Sequence, residues 1–219
     1  MLSPARRHVM RVQAEESAQL GGSTLRNLSA YNQMLLKLEE DKRQLKRVQS
    51  TMRKAEIKRE LLPYYQPWVA GALKSGKGGQ DDVLMNVMIW RVDAGDFSGA
   101  LDIAGYALKH GLVMPSLYNR QTACAVAEEI ADAMTKNYAA KQPVDVALIQ
   151  RTLEITDVHD MPDQVRAKLH KILAYGLRDN NQPVLAYHHI SQAFLFDKNC
   201  DVKKDMEQLE RITRQANNG

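Results

Sequence analysis

Cysteine is nearly missing from this chain: Cys124 and Cys200 are its only two among 219 residues, far apart and in no CxxC or Cys/His spacing. That leaves no disulfide framework and no zinc ribbon, so both thiols read as small, reduced core residues. No stretch reaches the roughly 18 apolar residues of a membrane span, and the N-terminus lacks the apolar centre of a signal peptide. No membrane partner is expected, and the expected home is the cytoplasm. Aromatic residues are scarce at 6%. Alternating strand patterns are absent, which makes the expected class all-α. Glycine and proline are absent from the thirty-six residues Asn27 to Leu62, so nothing there punctuates a helix.

That uninterrupted run holds the chain's most distinctive pattern. At about 100° per residue, Arg43, Arg47, Lys54 and Lys58 share one helical face, and Lys42, Lys46 and Arg53 fall on the adjoining stripe. Leu38, Leu45, Val48, Met52 and Ala55 lie opposite, with Leu38, Leu45 and Met52 spaced by seven. The expectation is one long coiled-coil-like helix, its apolar seam pairing subunits and its basic back facing a polyanion. The net charge of +4 is modest but uneven. Residues 1–60 carry 13 Lys+Arg against 7 Asp+Glu, a net of +6, whereas the remainder carries 17 against 19. A basic front on a near-neutral body is the pattern of an anion-binding arm on a scaffold.

Residues 1–26 read as a basic arm in which Arg6, Arg7 and Arg11 would track phosphates, with a break at Gly21-Gly22 that leaves room for a helix-turn-helix. Residues 27–62 form the expected DNA-binding and oligomerisation helix, stopped by Pro63 and Pro67. Residues 63–80 form a linker, and 81–219 a helical assembly domain. Within that domain, Asp81 or Asp82 caps a helix through Ala94 with Leu84, Val87, Met88 and Val92 inward. Gly95 and Gly111 are helix stops, Asp96 and Asp201 are caps, and Pro143, Pro162 and Pro183 suit first turns. Ala100, Ala104 and Ala107 after Gly95-Asp96 share their offsets with Ala186, Ile190 and Ala193 after Asp179-Asn180-Asn181. Small residues at that spacing suit tightly packed helical hairpins of the tetratricopeptide kind.

Catalytic chemistry is weakly offered. Gly71-Ala72-Leu73-Lys74-Ser75-Gly76-Lys77-Gly78 has P-loop spacing, but Gly78 stands where a hydroxyl would hold magnesium. The carboxylate candidates for a nuclease are Asp81-Asp82, Asp93 with Asp96, and Glu128-Glu129 with Asp132. The first two read as helix caps, and the third as a solvated face. Adjacent His188 and His189 point about 100° apart on a helix and do not chelate one ion. No catalytic set, metal site or cofactor site is assigned.

Several strings in order carry a family likeness. They are Ser3-Pro4-Ala5-Arg6-Arg7-His8, Lys58-Arg59-Glu60-Leu61-Leu62-Pro63, the block from Pro67-Trp68-Val69 through Gln80-Asp81-Asp82, and Trp90-Arg91-Val92-Asp93 with Gly95-Asp96. Tyr106-Ala107-Leu108-Lys109, Met114-Pro115, Met161-Pro162-Asp163 and Val165 to Lys171 follow. Together they resemble the small terminase subunit of Peduovirus-type tailed phages, a family often labelled terminase endonuclease subunit. The resemblance implies a ring-forming homo-oligomer that binds the packaging or cohesive-end site of double-stranded phage DNA. Such a ring delivers the DNA to a large ATPase/nuclease subunit in the cytoplasm of the bacterial host. The alternative it leaves open is that this subunit itself cuts the DNA. Under the first reading the DNA-contacting residues are Arg6, Arg7, Arg11, Lys42, Arg43, Lys46, Arg47, Arg53, Lys54 and Lys58. Leu38, Leu45, Val48 and Met52 then hold the oligomer.

Overall fold

The computed structural model describes residues 2–17, 25–75, 77–116 and 119–217. Among these residues there are ten α-helices and no strand. The Gly21-Gly22 break, and with it the expected helix-turn-helix turn, lies outside them. Contacts divide the chain into an N-terminal unit, Met1–Thr122, and a C-terminal unit, Ala123–Gly219.

The N-terminal unit holds α1 (Pro4–Ser17), α2 (Leu25–Lys46), α3 (Thr51–Ser75), α4 (Asp82–Ala94) and α5 (Phe97–His110). The expected single helix over 27–62 is two helices, because the chain turns at residues 47–50. Arg47 and Val48 close the last turn of α2 with short-range bonds to the carbonyls of Gln44 and Leu45. Ser50 then caps α3, its hydroxyl accepting from the Arg53 amide at 3.2 Å. A serine cap satisfies an otherwise orphaned N–H, so the turn forms without glycine or proline.

The prolines do not stop α3. Pro63 and Pro67 lie inside it, and the helix continues to Ser75 through most of the expected linker. Each proline removes one backbone donor at a cost of about 3 kcal/mol. Opposing that, Tyr65, Trp68, Val69 and Ala72 are all buried along the same helix, and a fully buried large side chain returns about 1.5–3 kcal/mol. The summed burial outweighs the missing bonds. Several aromatics meet here: Tyr31 stacks on Trp68 at 6.1 Å and Tyr65 meets the edge of Trp90 at 5.8 Å.

The expected free arm is α1, packed on α3 by Met10 and Ala14. The two helices approach most closely at Gly71, where a Cβ would sit 2.1 Å from the backbone oxygen of Arg11. At the centre runs α4, with every residue from Val83 to Val92 buried rather than one face. Asp81 caps it, accepting from the Leu84 amide and, at 2.7 Å, from the Trp68 indole. Burial pushes that carboxyl up to about 6. Gly95 and Gly111 end α4 and α5 in the left-handed region, and Asp96 caps α5.

The C-terminal unit holds α6 (Thr122–Ala139, whose first residue belongs to the other unit), α7 (Val146–Thr156), α8 (Asp163–Asp179), α9 (Pro183–Phe196) and α10 (Lys203–Asn217). Pro183 opens α9 at its first turn. Pro162 is the residue before α8, and Pro143 lies ahead of α7, whose cap is Asp145. Asp201 does not cap α10: it has positive φ and sits ahead of the helix start. Ala186, Ile190 and Ala193 of α9 are buried, as are Ala100, Ala104 and Ala107 of α5. These positions therefore lie on the buried faces of α5 and α9.

Candidate nucleic-acid interface

The turn between α2 and α3 decides where the cations go. Residues 42–54 contain six Lys or Arg and no Asp or Glu. Lys42 and Lys46 stand one turn apart at the end of α2, and Lys54 and Lys58 one turn apart at the start of α3. Because the helices meet at an elbow, all four lysines line one open concavity of about 250 Å³ with Leu45, Asn86 and Trp90. A continuous helix would have spread them along some 25 Å at 1.5 Å per residue.

Local physics does not favour this arrangement. Like charges at i,i+4 cost about 0.2–0.5 kcal/mol per pair, and both helices carry one such lysine pair. Lys46 complements the C-terminal end of the α2 dipole, but Lys54 faces the positive N-terminal end of α3, whose first turn has no acid. Lys42 is relieved by Glu39 at 3.0 Å, and Lys58 by Asp93 from α4. Lys46 and Lys54 have no ion pair among the described residues. The middle of the concavity is therefore uncompensated positive charge, open to solvent and shaped to receive an anion.

The other expected contacts lie elsewhere. Arg43 and Arg47 are exposed at the elbow outside the concavity. Arg53 is exposed and bound to Glu56 at 2.8 Å, with Glu60 at 3.9 Å. Arg6 and Arg11 are exposed on α1, where Arg11 meets His8 at 3.2 Å and Glu15 at 3.7 Å. Arg7 lines a different concavity, with Arg59 and Arg91. The four seam residues do not form one stripe: Leu38 is 1% and Leu45 7% exposed, whereas Met52 is 79% exposed and Val48 intermediate. The first two are consumed by this chain's own core, because α2 folds back beside α3 and α4. Asn86 and Trp90 were not among the expected site residues. Nothing in their spacing tied them to residues forty positions earlier, although the Trp90-Arg91-Val92-Asp93 string marks the same helix.

The acidic candidates are engaged structurally. Asp81 and Asp96 cap helices, Asp93 pairs with Lys58, and Asp132 and Glu128 meet Lys168 at 2.9 and 3.8 Å. Among the described residues, no three His, Cys, Asp or Glu side chains gather closely enough to hold a metal ion. In the near-P-loop, residues 71–75 end helix α3 and Gly78 packs against His110; Gly76 lies outside the described residues. His170 and His189, rather than His188 and His189, bring ring nitrogens together, Nδ1 to Nδ1 at 2.9 Å. No helix among the described residues is long and apolar enough to cross a membrane.

The described residues thus form an all-helical chain with a lysine-lined elbow. The chain belongs to the phage small terminase subunit family, whose model matches residues 35–164, a span that takes in the elbow. It is 50% identical over 211 residues to the terminase endonuclease subunit of Escherichia phage P2, covering 96% of this chain and 85% of that protein. It is 24% identical over 204 residues to a probable terminase endonuclease subunit of Haemophilus phage HP1, covering 86% of this chain and 73% of the other. No solved structure matches the chain.

Proposed function

We propose that this chain is the DNA-recognition subunit of a phage terminase. It binds the packaging, cohesive-end site of double-stranded viral DNA in the host cytoplasm and delivers that DNA to the large ATPase/nuclease subunit. The observation that carries this reading is the convergence of Lys42, Lys46, Lys54 and Lys58 on one concavity, the inner two unpaired. Phosphate contacts of this kind position a duplex without reading its sequence. Several copies in a homo-oligomeric ring would multiply one modest basic face into avidity. Arg43 and Arg47 would extend the track along the elbow, with Arg53 and the α1 cations Arg6 and Arg11 as outlying contacts. Of the seam residues, Met52 and Val48 are those left to meet another copy, since Leu38 and Leu45 lie inside the fold. The two alanine-lined hairpins would act as tetratricopeptide-like scaffold for assembly and for the large subunit.

The test is a gel shift with the phage end-site duplex across a salt series. Replacing Lys46 and Lys54 by alanine should weaken binding and flatten the log K against log salt plot by about 2. An unchanged slope removes the elbow from the interface.

A second reading is favoured by the relatives' names, which describe endonuclease subunits. Under it, the purified chain alone nicks end-site DNA with magnesium, and Asp82→Ala, Glu129→Ala or Asp132→Ala abolishes the cuts. Intact DNA in the absence of the large subunit assigns cleavage to the partner.

A further inference from the structure

The N-terminal unit has a second concavity, of about 620 Å³ and quite unlike the lysine elbow. Leu62, Pro63 and Pro67 give it apolar walls, and Arg7, Arg59 and Arg91 line it. Arg91 is 9% exposed; one terminal nitrogen donates to Asp96 at 2.8 Å and the other to Gln66, while its Nε–H is buried with no partner. A buried, unpaired guanidinium N–H costs on the order of 1–3 kcal/mol, and the two terminal nitrogens are held by this chain's own Asp96 and Gln66. Arg7 is exposed without an ion pair among the described residues, and Arg59 spends only its Nε, on the Ala94 carbonyl at 3.0 Å. With one carboxylate, Asp96, against three guanidiniums, the socket keeps a positive surplus. Guanidiniums over apolar walls suit a carboxylate carried beside an apolar side chain.

The chain itself carries a segment of that chemistry. The loop between α7 and α8 reads Asp157-Val158-His159-Asp160-Met161-Pro162, with Asp163 beginning α8. Val158 is 85% exposed, the most exposed of the large apolar side chains described. Asp160 and Asp163 are exposed with no ion pair among the described residues. The loop is held rigid from behind: Arg166 donates to the carbonyls of Asp157 at 3.1 Å and His159 at 2.6 Å, and it binds the Asp157 carboxylate. Such pre-organisation lowers the ordering cost of docking.

We propose that this acidic loop of one copy seats in the arginine socket of a second copy. Val158 would pack on the proline-lined wall, and Asp160 and Asp163 would face Arg7 and Arg59. The contact is heterologous, so each copy offers a plug and a socket and the association propagates from copy to copy. The proposal deepens the assembly part of the reading above. It is judged without DNA, whereas the DNA reading rests on Lys46 and Lys54.

The experiment is mass measurement of the full chain by light scattering at micromolar concentration and low salt, with no nucleic acid. Arg7→Glu with Arg59→Glu, and separately Asp160→Arg with Asp163→Arg, should each weaken self-association about tenfold or more. Mixing the two variants should restore it, because each then offers the charge that the other's socket or plug requires. Val158→Lys, at an exposed position that leaves the fold intact, should also weaken association. A monomeric wild-type chain, variants that associate like wild type, or a mixture that stays dissociated overturns the proposal. So does a rim variant that keeps its mass but loses end-site DNA in the gel shift, which would make the socket a phosphate site.

Discussion

Two surfaces treat charge in different ways, the α8 face of the C-terminal unit and the elbow of the N-terminal unit. On α8 of the C-terminal unit three of the four Lys and Arg side chains meet a carboxylate: Lys168 with Asp132, Arg166 with Asp157, and Arg178 with Asp205 and Asp179, while Lys171 donates to the Cys200 carbonyl. At the elbow of the N-terminal unit six cations follow one another without an acid, and the concavity keeps Lys46 and Lys54 unpaired. Pairing of exposed charges contributes little to stability, about 0–1 kcal/mol, so the contrast concerns what each surface is kept ready for. A surface that leaves its charge uncompensated stays available to an outside anion, and one that neutralises itself does not.

The strongest way to break this contrast is to reverse the elbow. Lys46→Glu with Lys54→Glu should lower affinity for end-site duplex about hundredfold at moderate salt, with helicity by circular dichroism unchanged because both side chains point outward. Lys168→Ala, which unpairs charge in the other unit, should change that affinity less than about twofold. Retained binding after elbow reversal would erase the distinction.

Packing gives the next largest effect. Gly71→Ala should destabilise the N-terminal unit by about 1–3 kcal/mol, read by denaturant titration, since its Cβ would fall on the Arg11 backbone oxygen. The same change at Gly105, where a Cβ meets nothing within 4 Å, should be neutral or slightly stabilising.

The paired charges of the C-terminal unit predict smaller changes. Arg178→Met removes contacts to Asp205 and the Tyr138 hydroxyl and the guanidinium over the Tyr175 ring at 4.9 Å. It should cost about 1 kcal/mol in the same titration. Acid should act through His170, which burial and then the neighbouring His189 lower to about 4. A folded pKa below the unfolded value means that the unfolded chain takes the proton first. Stability contributed by neutral His170 is therefore complete above the ordinary histidine range and is lost as pH falls from there toward about 4. His170→Gln should flatten that part of the stability–pH curve, whereas a decline of unchanged steepness would assign it to other groups.

Much of the fold could be read along the chain, and the reasons are local. Asp81 and Asp96 announce helix starts, Gly95 and Gly111 helix ends and Pro183 a first turn, because capping chemistry acts within about four residues. The alanine spacing of α5 and α9 marked packed faces for the same reason. The cations of the site were legible too, since charge density needs no fold to be counted. Their grouping was not. Lys42 and Lys58 meet only because Ser50 caps a new helix, and no breaker residue signals that turn.

By itself the sequence determined an all-helical chain of the phage small terminase subunit family, basic toward its N-terminus, with several helix ends fixed by caps. The tertiary structure alone decided that Pro63 and Pro67 stay inside a helix, that Leu38 and Leu45 serve this chain's own core, and that four lysines share a concavity. The first two outcomes rest on burial against partners distant in sequence, and the third on a turn that lets α2 fold back beside α3 and α4. Local propensity, weighing a few kcal/mol at most over one turn, cannot register an energy that exists only once the helices have packed.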